Sequence, residues 1–291
     1  MGRWWYVRSA TEQWLLLIFA GLLILGCVLS LLGTALNGDW LGLLTNLGTG
    51  LFGSAVTLFL INILVGNKEK QEAKEQEEAQ LKADLVEQLR SKVGNVALLA
   101  SEQLRGRGWH RDGLLRGAYL REANLAEVIL PNADLQAANL REANLQNAFL
   151  VYANLRIAHL DGCNIQGADL KAVNLQGAIL TYAKLQTANL HAANLQDAEL
   201  LSAYLQNARL EDADLRGANL NYADLEGAKL RGAVLQGAYL ISTNLRGADL
   251  REVNLEEADL NEADFDENTI LPDGSKWTTS TSTETFTRKK G

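Results

Sequence analysis

Few side chains in this 291-residue sequence could act on a substrate or hold a metal ion. The three histidines, His110, His159 and His191, are widely spaced, and neither His159 nor His191 has a cysteine or histidine at zinc-ligand spacing. Of the two cysteines, Cys27 lies in an apolar run and Cys163 takes a position that alanine usually fills. We therefore predict that both cysteines are small buried residues, and that the chain has neither a disulfide framework nor a zinc site.

Aspartate and asparagine are the other candidate metal ligands, because they recur at intervals of five residues. Examples are Ala-Asn-Leu at 123–125 and Ala-Asp-Leu at 248–250. Their oxygens could bind calcium. The same side chains also accept hydrogen bonds from the backbone at turns. Which of the two roles applies, calcium binding or turn formation, depends on the secondary structure in which these residues lie.

Those elements follow a five-residue repeat that runs from about residue 115 to residue 265. Of the 31 positions in this range that are divisible by five, only Ile165 and Phe265 are not leucine. From Ala118 to Ala263, the residue two before each of these positions is small, and it is alanine except at Val128, Cys163, Val173, Thr243 and Val253. Neither a helix nor a simple strand keeps residues five apart on one side. A chain that turns a corner every five residues does, and four corners close a square coil of 20 residues, stacked about 4.8 Å from the next.

Two apolar runs precede the repeat. Trp14 to Leu36 contains no charged residue and would span about 35 Å as a helix. A second run, Trp40 to Asn67, contains a spanning part at about 43–65. We predict a transmembrane helical hairpin. Lysine and arginine flank the hairpin but are absent from its loop, so the positive-inside rule places both ends, and the repeat, on the cytoplasmic side.

A charged segment, 68–110, links these runs to the repeat. Its apolar residues recur every three or four positions, which predicts one stripe on a helix: Leu81, Leu85, Leu89, Val93, Val96 and Ala100. One interpretation is a short coiled coil that dimerises the protein; the other is a helix that folds back over the first coil of the repeat. Gly94-Asn95 interrupts the stripe and leaves few heptads, which slightly favours the covering helix.

The run Ala218-Asn219-Leu220-Asn221-Tyr222-Ala223-Asp224-Leu225 resembles the pentapeptide-repeat family, and the resemblance covers about residues 113–268. It implies a right-handed quadrilateral β-helix, with Asn and Asp hydrogen-bonded to the backbone at the corners. Residues 271–277 look like the closing segment of many cyanobacterial members, in which an aromatic residue covers the open end of the core. The hairpin and charged linker look like membrane-bound cyanobacterial relatives. Known members include DNA-mimicking gyrase binders and effectors.

The expected architecture is thus an all-β right-handed quadrilateral β-helix, the pentapeptide-repeat solenoid, preceded by α-helices. Residues 1–67 form the hairpin, with helices at about 14–36 and 43–65, and residues 68–110 form the linker or capping helix. The β-helix and its C-terminal cap occupy 111–277. The Ser/Thr-rich tail, 278–291, has too few apolar residues to fold alone and is predicted to be disordered. A packed square coil offers no concave pocket, so we predict no enzyme activity, no catalytic residue, no cofactor and no metal.

Residues 20 apart should lie directly above one another on successive coils. The outward positions around Leu180, Leu200, Leu220 and Leu240 would then form one vertical strip that is rich in tyrosine. We call it the tyrosine strip and predict it as the surface for a protein partner; it comprises Ile179, Tyr182, Leu201, Tyr204, Tyr222, Tyr239 and Ile241.

Two functions are consistent with these features. The favoured one is a membrane-tethered, non-catalytic scaffold in the plasma or thylakoid membrane, in contact with the lipid bilayer and with a protein partner, which is another protein or a second copy of the chain. The alternative is an acidic DNA mimic that inhibits a DNA-binding protein such as gyrase, since residues 111–269 hold 23 acidic and 13 basic side chains. The acidic balance argues against binding nucleic acid itself.

Overall fold

The computed structural model describes residues 10–35 and 40–287, and the chain divides into two compact units, Met1–Gln80 and Leu81–Gly291. The first unit holds α1 (Ala10–Ala35) and most of α2 (Trp40–Leu89). Within the described ranges, the part of α2 over Asn46–Leu89 is long enough and contains a stretch apolar enough to cross a membrane. The part of α1 over Ala20–Leu29 is a shorter apolar segment. The loop of the predicted hairpin, at 36–39, lies outside the described residues, so the hairpin stays a prediction.

Helix α2 continues without a break from the second apolar run into the charged linker, so no helix boundary lies at 67–68. The linker is rich in glutamate, lysine, glutamine and alanine, which favour helix. Pairs four residues apart add support: Lys68 contacts Glu72 at 3.4 Å, and Gln71 donates to Glu75 at 2.8 Å. The composition changes here from apolar to charged residues, but residues that favour helix continue on both sides of the change, so the helix does not end.

The break comes where Gly94 interrupts the apolar stripe. Helix α2 ends at Leu89, α3 spans Gly94–Gly106, and a short 3-10 turn follows at Trp109–Arg111. Leu85, Leu89 and Leu104 are fully buried in the same cluster as the leucines of the repeat. The structure therefore takes the covering arrangement, in which Leu85, Leu89 and Ala100 of the stripe help to close the N-terminal end of the β-helix core. Val93, also predicted in the stripe, is exposed because it lies at the break between α2 and α3.

The repeat forms coils of 20 residues, as predicted. Single residues pair in parallel with the residue 20 positions later on every face, as in Asn144↔Asn164 and Asn189↔Arg209. A turn separates each bridge from the next. In the described residues, the repeat therefore forms isolated single-residue bridges rather than strands of several residues. This follows from the five-residue period, because a corner interrupts every face after one paired residue. The right-handed sense of the coil stays a prediction.

The inward assignment of leucine and alanine is confirmed. Every leucine position from 115 to 250 is at most 2% exposed, and the small residues from 123 to 248 are equally buried. Two polar replacements of alanine are accommodated because each reaches a carbonyl of the coil before it. The Cys163 thiol donates to the Leu140 oxygen at 3.1 Å, and the Thr243 hydroxyl donates to the Leu220 oxygen at 2.8 Å. Burial also raises the pKa of the Cys163 thiol, so it is not a reactive thiolate. The prediction that both cysteines are buried is wrong for Cys27, which is exposed on α1 because an apolar helical run does not by itself bury each of its side chains.

The C-terminal end is closed by the segment that follows the last repeats. Ile270 pairs with Asp249 in parallel and with Lys276 in antiparallel, and Phe265 stacks on Trp277 with ring centroids 4.3 Å apart. An aromatic residue thus covers the core, as the resemblance implies. The structure differs from the predicted disordered tail over 278–287: α4 (Glu284–Thr287) places Phe286 against the core cluster, because this one apolar side chain finds a buried surface. Residues 288–291 lie outside the described part.

Candidate protein-interaction surface

Each five-residue repeat presents three outward side chains: one on the bridge and two at the corner. The bridging Asn or Asp accepts a hydrogen bond from the backbone N–H two residues later. Asn144 accepts from Gln146 at 3.1 Å and Asp259 accepts from Asn261 at 3.1 Å. Many of these side-chain oxygens are therefore committed to shaping corners. No group of three or more His, Cys, Asp or Glu suited to a metal ion occurs among the residues that the structure describes.

The tyrosine strip occupies one corner of the β-helix and the faces on both sides of it. At the corner, the Tyr182 N–H donates to the Leu201 carbonyl at 3.1 Å, and the Tyr222 N–H donates to the Ile241 carbonyl at 2.9 Å. These bonds join adjacent coils, so the four residues follow one corner from coil to coil. Tyr182 and Tyr222 are 58% and 61% exposed, which leaves most of both rings available for contact.

The other three residues of the strip lie on the flanking faces. Tyr204, exposed, is on the face after the corner, where it pairs with Lys184 and Asp224. Ile179 and Tyr239 share a column on the face before the corner, but they are three coils apart. The structure thus brings the four corner residues together and places these three beside them, at a wider spacing than an unbroken apolar stripe.

Small polar residues that sequence reasoning missed fill the gaps in the strip. Ser202 lies between Tyr182 and Tyr222 on the corner, and its N–H donates to the Asn221 carbonyl at 2.9 Å. Ser242 continues the same column. Tyrosine interleaved with serine and asparagine is a composition typical of binding surfaces, because rigid rings supply area and small polar groups supply adaptable hydrogen bonds. The 20-residue spacing that aligns the tyrosines could have found these residues too.

The diagonally opposite corner has a different chemistry. Arg231 contacts Glu252 at 2.6 Å, and Arg251 contacts Asp249 at 2.5 Å. Hydrogen bonds from the Arg251 side chain hold the pKa of Asp249 below its usual value. Partly exposed ion pairs of this kind contribute little to stability and cost free energy to desolvate. A partner that covers the tyrosine corner therefore loses less free energy to desolvation than one that covers the opposite corner.

A second apolar group lies at this same opposite corner and on the face before it, nearer the N-terminal end of the repeat. Phe149 pairs with Ile129 on one face, and Tyr152, at the adjoining corner, is exposed. Val151 is the residue before Tyr152 and is half-buried. This group is smaller than the tyrosine strip and provides a comparison surface on the same element.

Solved structures of two cyanobacterial proteins are similar to this chain. HetL, a pentapeptide repeat protein involved in heterocyst differentiation regulation from Nostoc sp. strain PCC 7120, is 28% identical over 60% of this chain and 98% of its own, with a TM-score of 0.34. Rfr23, a pentapeptide repeat protein from Cyanothece 51142, is 36% identical over 39% of this chain and 90% of its own, with a TM-score of 0.38. No curated protein matches the chain.

The family described as pentapeptide repeats matches the sequence in eight copies. The matched ranges overlap and extend from residue 114 to residue 267: 114–141, 138–177, 168–200, 198–237 and 233–267. They cover more than half of the chain and coincide with the coils that the structure places between its two caps. The chain therefore belongs to the pentapeptide-repeat family.

Proposed function

We propose that this protein is a membrane-tethered, non-catalytic scaffold whose β-helix binds a protein partner along the tyrosine strip. The observation that carries the proposal is the alignment of Tyr182, Leu201, Tyr222 and Ile241 on one corner, with hydrogen bonds joining their coils. Successive coils lie about 4.8 Å apart, so the two corner tyrosines are roughly 10 Å apart. That spacing suits contact with a single partner.

The strip offers the kind of surface that dominates binding energy in known complexes. Aromatic anchors with a polar surround are the usual hot spots of interfaces. Tyr204 and Tyr239 are exposed on the two flanking faces, which widens the surface around the corner. Single apolar residues on a surface need no explanation, but four tyrosines within one corner region favour a binding role.

The membrane tether rests on the first unit of the chain. Helix α2 contains a stretch long and apolar enough to cross a bilayer, and its side chains Leu58 and Leu64 are exposed, as lipid contact would require. Leu31 on α1 is exposed in the same way. We propose that α1 and α2 form the hairpin in the plasma or thylakoid membrane, with the β-helix on the cytoplasmic side.

A specific observation also supports the acidic DNA mimic as a second candidate function. The repeat region carries ten more acidic than basic side chains. Eight acidic residues fall between 252 and 267 with no lysine or arginine among them. A mimic of duplex DNA needs negative charge along its length, whereas here it is concentrated at one end. Arg231 and Arg251 further interrupt it at the corner opposite the strip, and Arg209 does so on the face before that corner.

The test is a Tyr182/Leu201/Tyr222/Tyr239→Ser variant of the full chain. Proteins crosslinked to it in native membranes would be quantified by mass spectrometry beside wild type. A matched control, Phe149/Val151/Tyr152→Ser, removes exposed apolar groups from the other corner. We expect specific partners to fall by at least about tenfold with the strip variant, as loss of hot-spot residues implies, and to remain with the control. A strip variant that folds normally and retains every partner contradicts the proposal, and inhibition of gyrase supercoiling by both variants would favour the mimic.

A further inference from the structure

The last coil has an unpaired edge at Asn254. Val234↔Asn254 is the final bridge on this face. In the described residues, neither the Leu255 N–H nor the Val253 carbonyl has a hydrogen-bond partner, although the corresponding groups of the preceding coils are paired. Leu255 is only 4% exposed, so its N–H lies at the base of the edge rather than on open surface. An unpaired buried backbone group costs free energy until something satisfies it.

The neighbouring face shows what could satisfy it. There Ile270 completes the coil by lying over Asp249: its N–H donates to the Ala248 carbonyl at 2.9 Å, and its carbonyl accepts from the Leu250 N–H at 2.8 Å. One extended residue therefore closes one face. The Asn254 face presents the same donor and acceptor pair without such a residue in the described chain.

A cavity of about 600 Å³ lies over this edge. Its apolar lining includes Val253, Leu255 and Phe286. The corners on either side are already taken: the Glu252 N–H donates to the Pro272 carbonyl at 3.0 Å, and the Glu257 N–H donates to the Thr287 carbonyl at 2.8 Å. Residues 253–256 separate these two corners, which leaves room for one short extended segment above an apolar floor.

The rim of the cavity is acidic. Glu252, Glu256 and Asp273 line it, and no lining residue in the described part of the chain is basic; Glu252 is also paired with Arg231 at 2.6 Å. Hydrogen bonds from Ser275 hold the pKa of Asp273 below its usual value, so this carboxylate stays charged at neutral pH. Positive side chains on an incoming segment would lie in a favourable field.

We infer that this edge binds an extended, cationic segment of a partner protein by adding one short strand to the last coil. The segment's backbone would donate to the Val253 carbonyl and accept from the Leu255 N–H, a small apolar side chain would cover the floor, and lysine or arginine would face the rim. This edge is separate from the tyrosine strip, and binding at the edge does not depend on binding at the strip.

The experiment uses full-length protein in an uncharged detergent and a fluorescein-labelled pentapeptide of alternating lysine and valine. A second peptide has the same side chains but N-methyl groups on its backbone, which removes its donors. We expect saturable binding of the first peptide, measured by anisotropy, with binding of the second weaker by about tenfold, as the loss of one or two hydrogen bonds implies. Hydrogen exchange of 253–256 should slow only with the first peptide.

Charge variants supply the matched pair. Asp273→Lys on the rim should weaken binding by about tenfold, whereas Glu127→Lys on a distant corner should leave it within about twofold. Equal binding of the two peptides would mean attraction by charge alone and would overturn the inference. So would unchanged exchange at 253–256, or binding that appears only after deletion of 288–291, because the edge would then belong to the chain's own tail. If the strip variant lost its partners but still bound this peptide, the two surfaces would be distinguished.

Discussion

At the scale of single residues, the main local free-energy cost of this fold is backbone strain at the corners. The second corner residue has a positive φ at every corner from 117 to 262, whether or not it is glycine. Ile157 and Thr187 are β-branched and still adopt φ of 51° and 59°. This conformation costs about 1–2 kcal/mol for a residue with a Cβ. Most of these corner N–H groups donate to the next coil, as Ile157 does to the Gln176 carbonyl at 2.9 Å, and the stacking of many coils offsets the strain.

Several corner glycines are required by contact with a side chain of the preceding coil rather than by the turn conformation. A Cβ added at Gly217 would lie 2.6 Å from Asp197 Oδ1, and one added at Gly227 would lie 2.7 Å from Asn207 Oδ1. Gly237 occupies the same corner column as Gly217 with the same φ of +66°, but a Cβ there would meet nothing within 4 Å. An Asp or Asn at one corner therefore favours a glycine directly above it.

The prediction is that Gly217→Ala destabilises the repeat more than Gly237→Ala. Both substitutions pay the left-handed cost of about 1 kcal/mol, and only the first must also displace the Asp197 carboxylate, for about 1 kcal/mol more. Thermal unfolding of the three proteins measures the difference. Asp197→Ala should bring the cost of Gly217→Ala close to that of Gly237→Ala; if the two glycine variants melt alike, the contact with Asp197 has no energetic weight.

The leucine and alanine register could be predicted from the sequence because it depends only on residues within one repeat. The left-handed isoleucine at 157 could not, since local preference disfavours it and the hydrogen bond that compensates comes from a residue 19 positions away. The alignment of the tyrosine strip was accessible because the 20-residue coil follows from the period of five. The open edge beside Leu255 was not, because it depends on where the closing segment leaves the coil.

At the scale of elements, the N-terminal cap replaces a missing coil. The Ser91 carbonyl, between α2 and α3, accepts from the Asn124 N–H at 2.9 Å, and the His110 carbonyl accepts from the Asp134 N–H at 2.9 Å. Two cations contact the Trp109 ring: Lys82 lies 4.8 Å from the ring centre and Arg107 lies 5.0 Å from it. Residues of the N-terminal cap thus satisfy two faces of the first coil and keep its edge from pairing with another chain.

The cap also contains a buried titratable group. His110 is almost fully buried and accepts from the Arg111 side chain at 3.1 Å. Burial lowers the pKa of its imidazole below 6.5, and the nearby positive charges of Arg111 and Arg105 lower it further, although backbone contacts at Leu104 and Pro131 oppose them. The neutral ring is therefore the form that the folded cap favours.

We predict that the cap becomes less stable in mild acid. Because the folded pKa lies below the unfolded one, the stability is fully present above about pH 6.5 and is lost as the pH falls from there through the folded pKa, by at most about 1.4 kcal/mol per pH unit. Hydrogen exchange of 94–111 at pH 7.5 and 5.5, corrected for intrinsic rates, measures this. His110→Gln should remove the pH dependence, and an identical dependence in that variant would assign it to another group.

The cap also marks the limit of prediction for elements. Apolar spacing identified the buried stripe at Leu85 and Leu89 but left open whether it covers the coil or another helix, because both environments are apolar. The continuity of α2 past residue 67 was obscured by a change in polarity that does not affect backbone hydrogen bonds. The packing of Phe286 was missed because one apolar residue in a polar tail gives no periodic signal.

At the scale of the whole molecule, charge is distributed unevenly along the sequence. Acidic residues dominate between 252 and 267, while lysine and arginine lie on both sides of the apolar runs: Arg3, Arg8, Lys68, Lys70 and Lys74. The acidic end should limit stacking of one coil on the exposed end of another. The basic flanks bear on orientation, since positive charge near membrane-spanning helices tends to stay in the cytoplasm.

This asymmetry predicts that the β-helix is cytoplasmic and that Asp39, in the loop without lysine or arginine, is not. In a Cys27→Ala/Cys163→Ala background, Asp39→Cys should react with an impermeant thiol reagent in intact cells, whereas Ser275→Cys should react only after the cells are permeabilised. Ser275 is exposed, so protection in intact cells would come from the membrane and not from burial. Labelling of Ser275→Cys without permeabilisation would place the β-helix outside, and a partner would then have to be sought among extracytoplasmic or lumenal proteins.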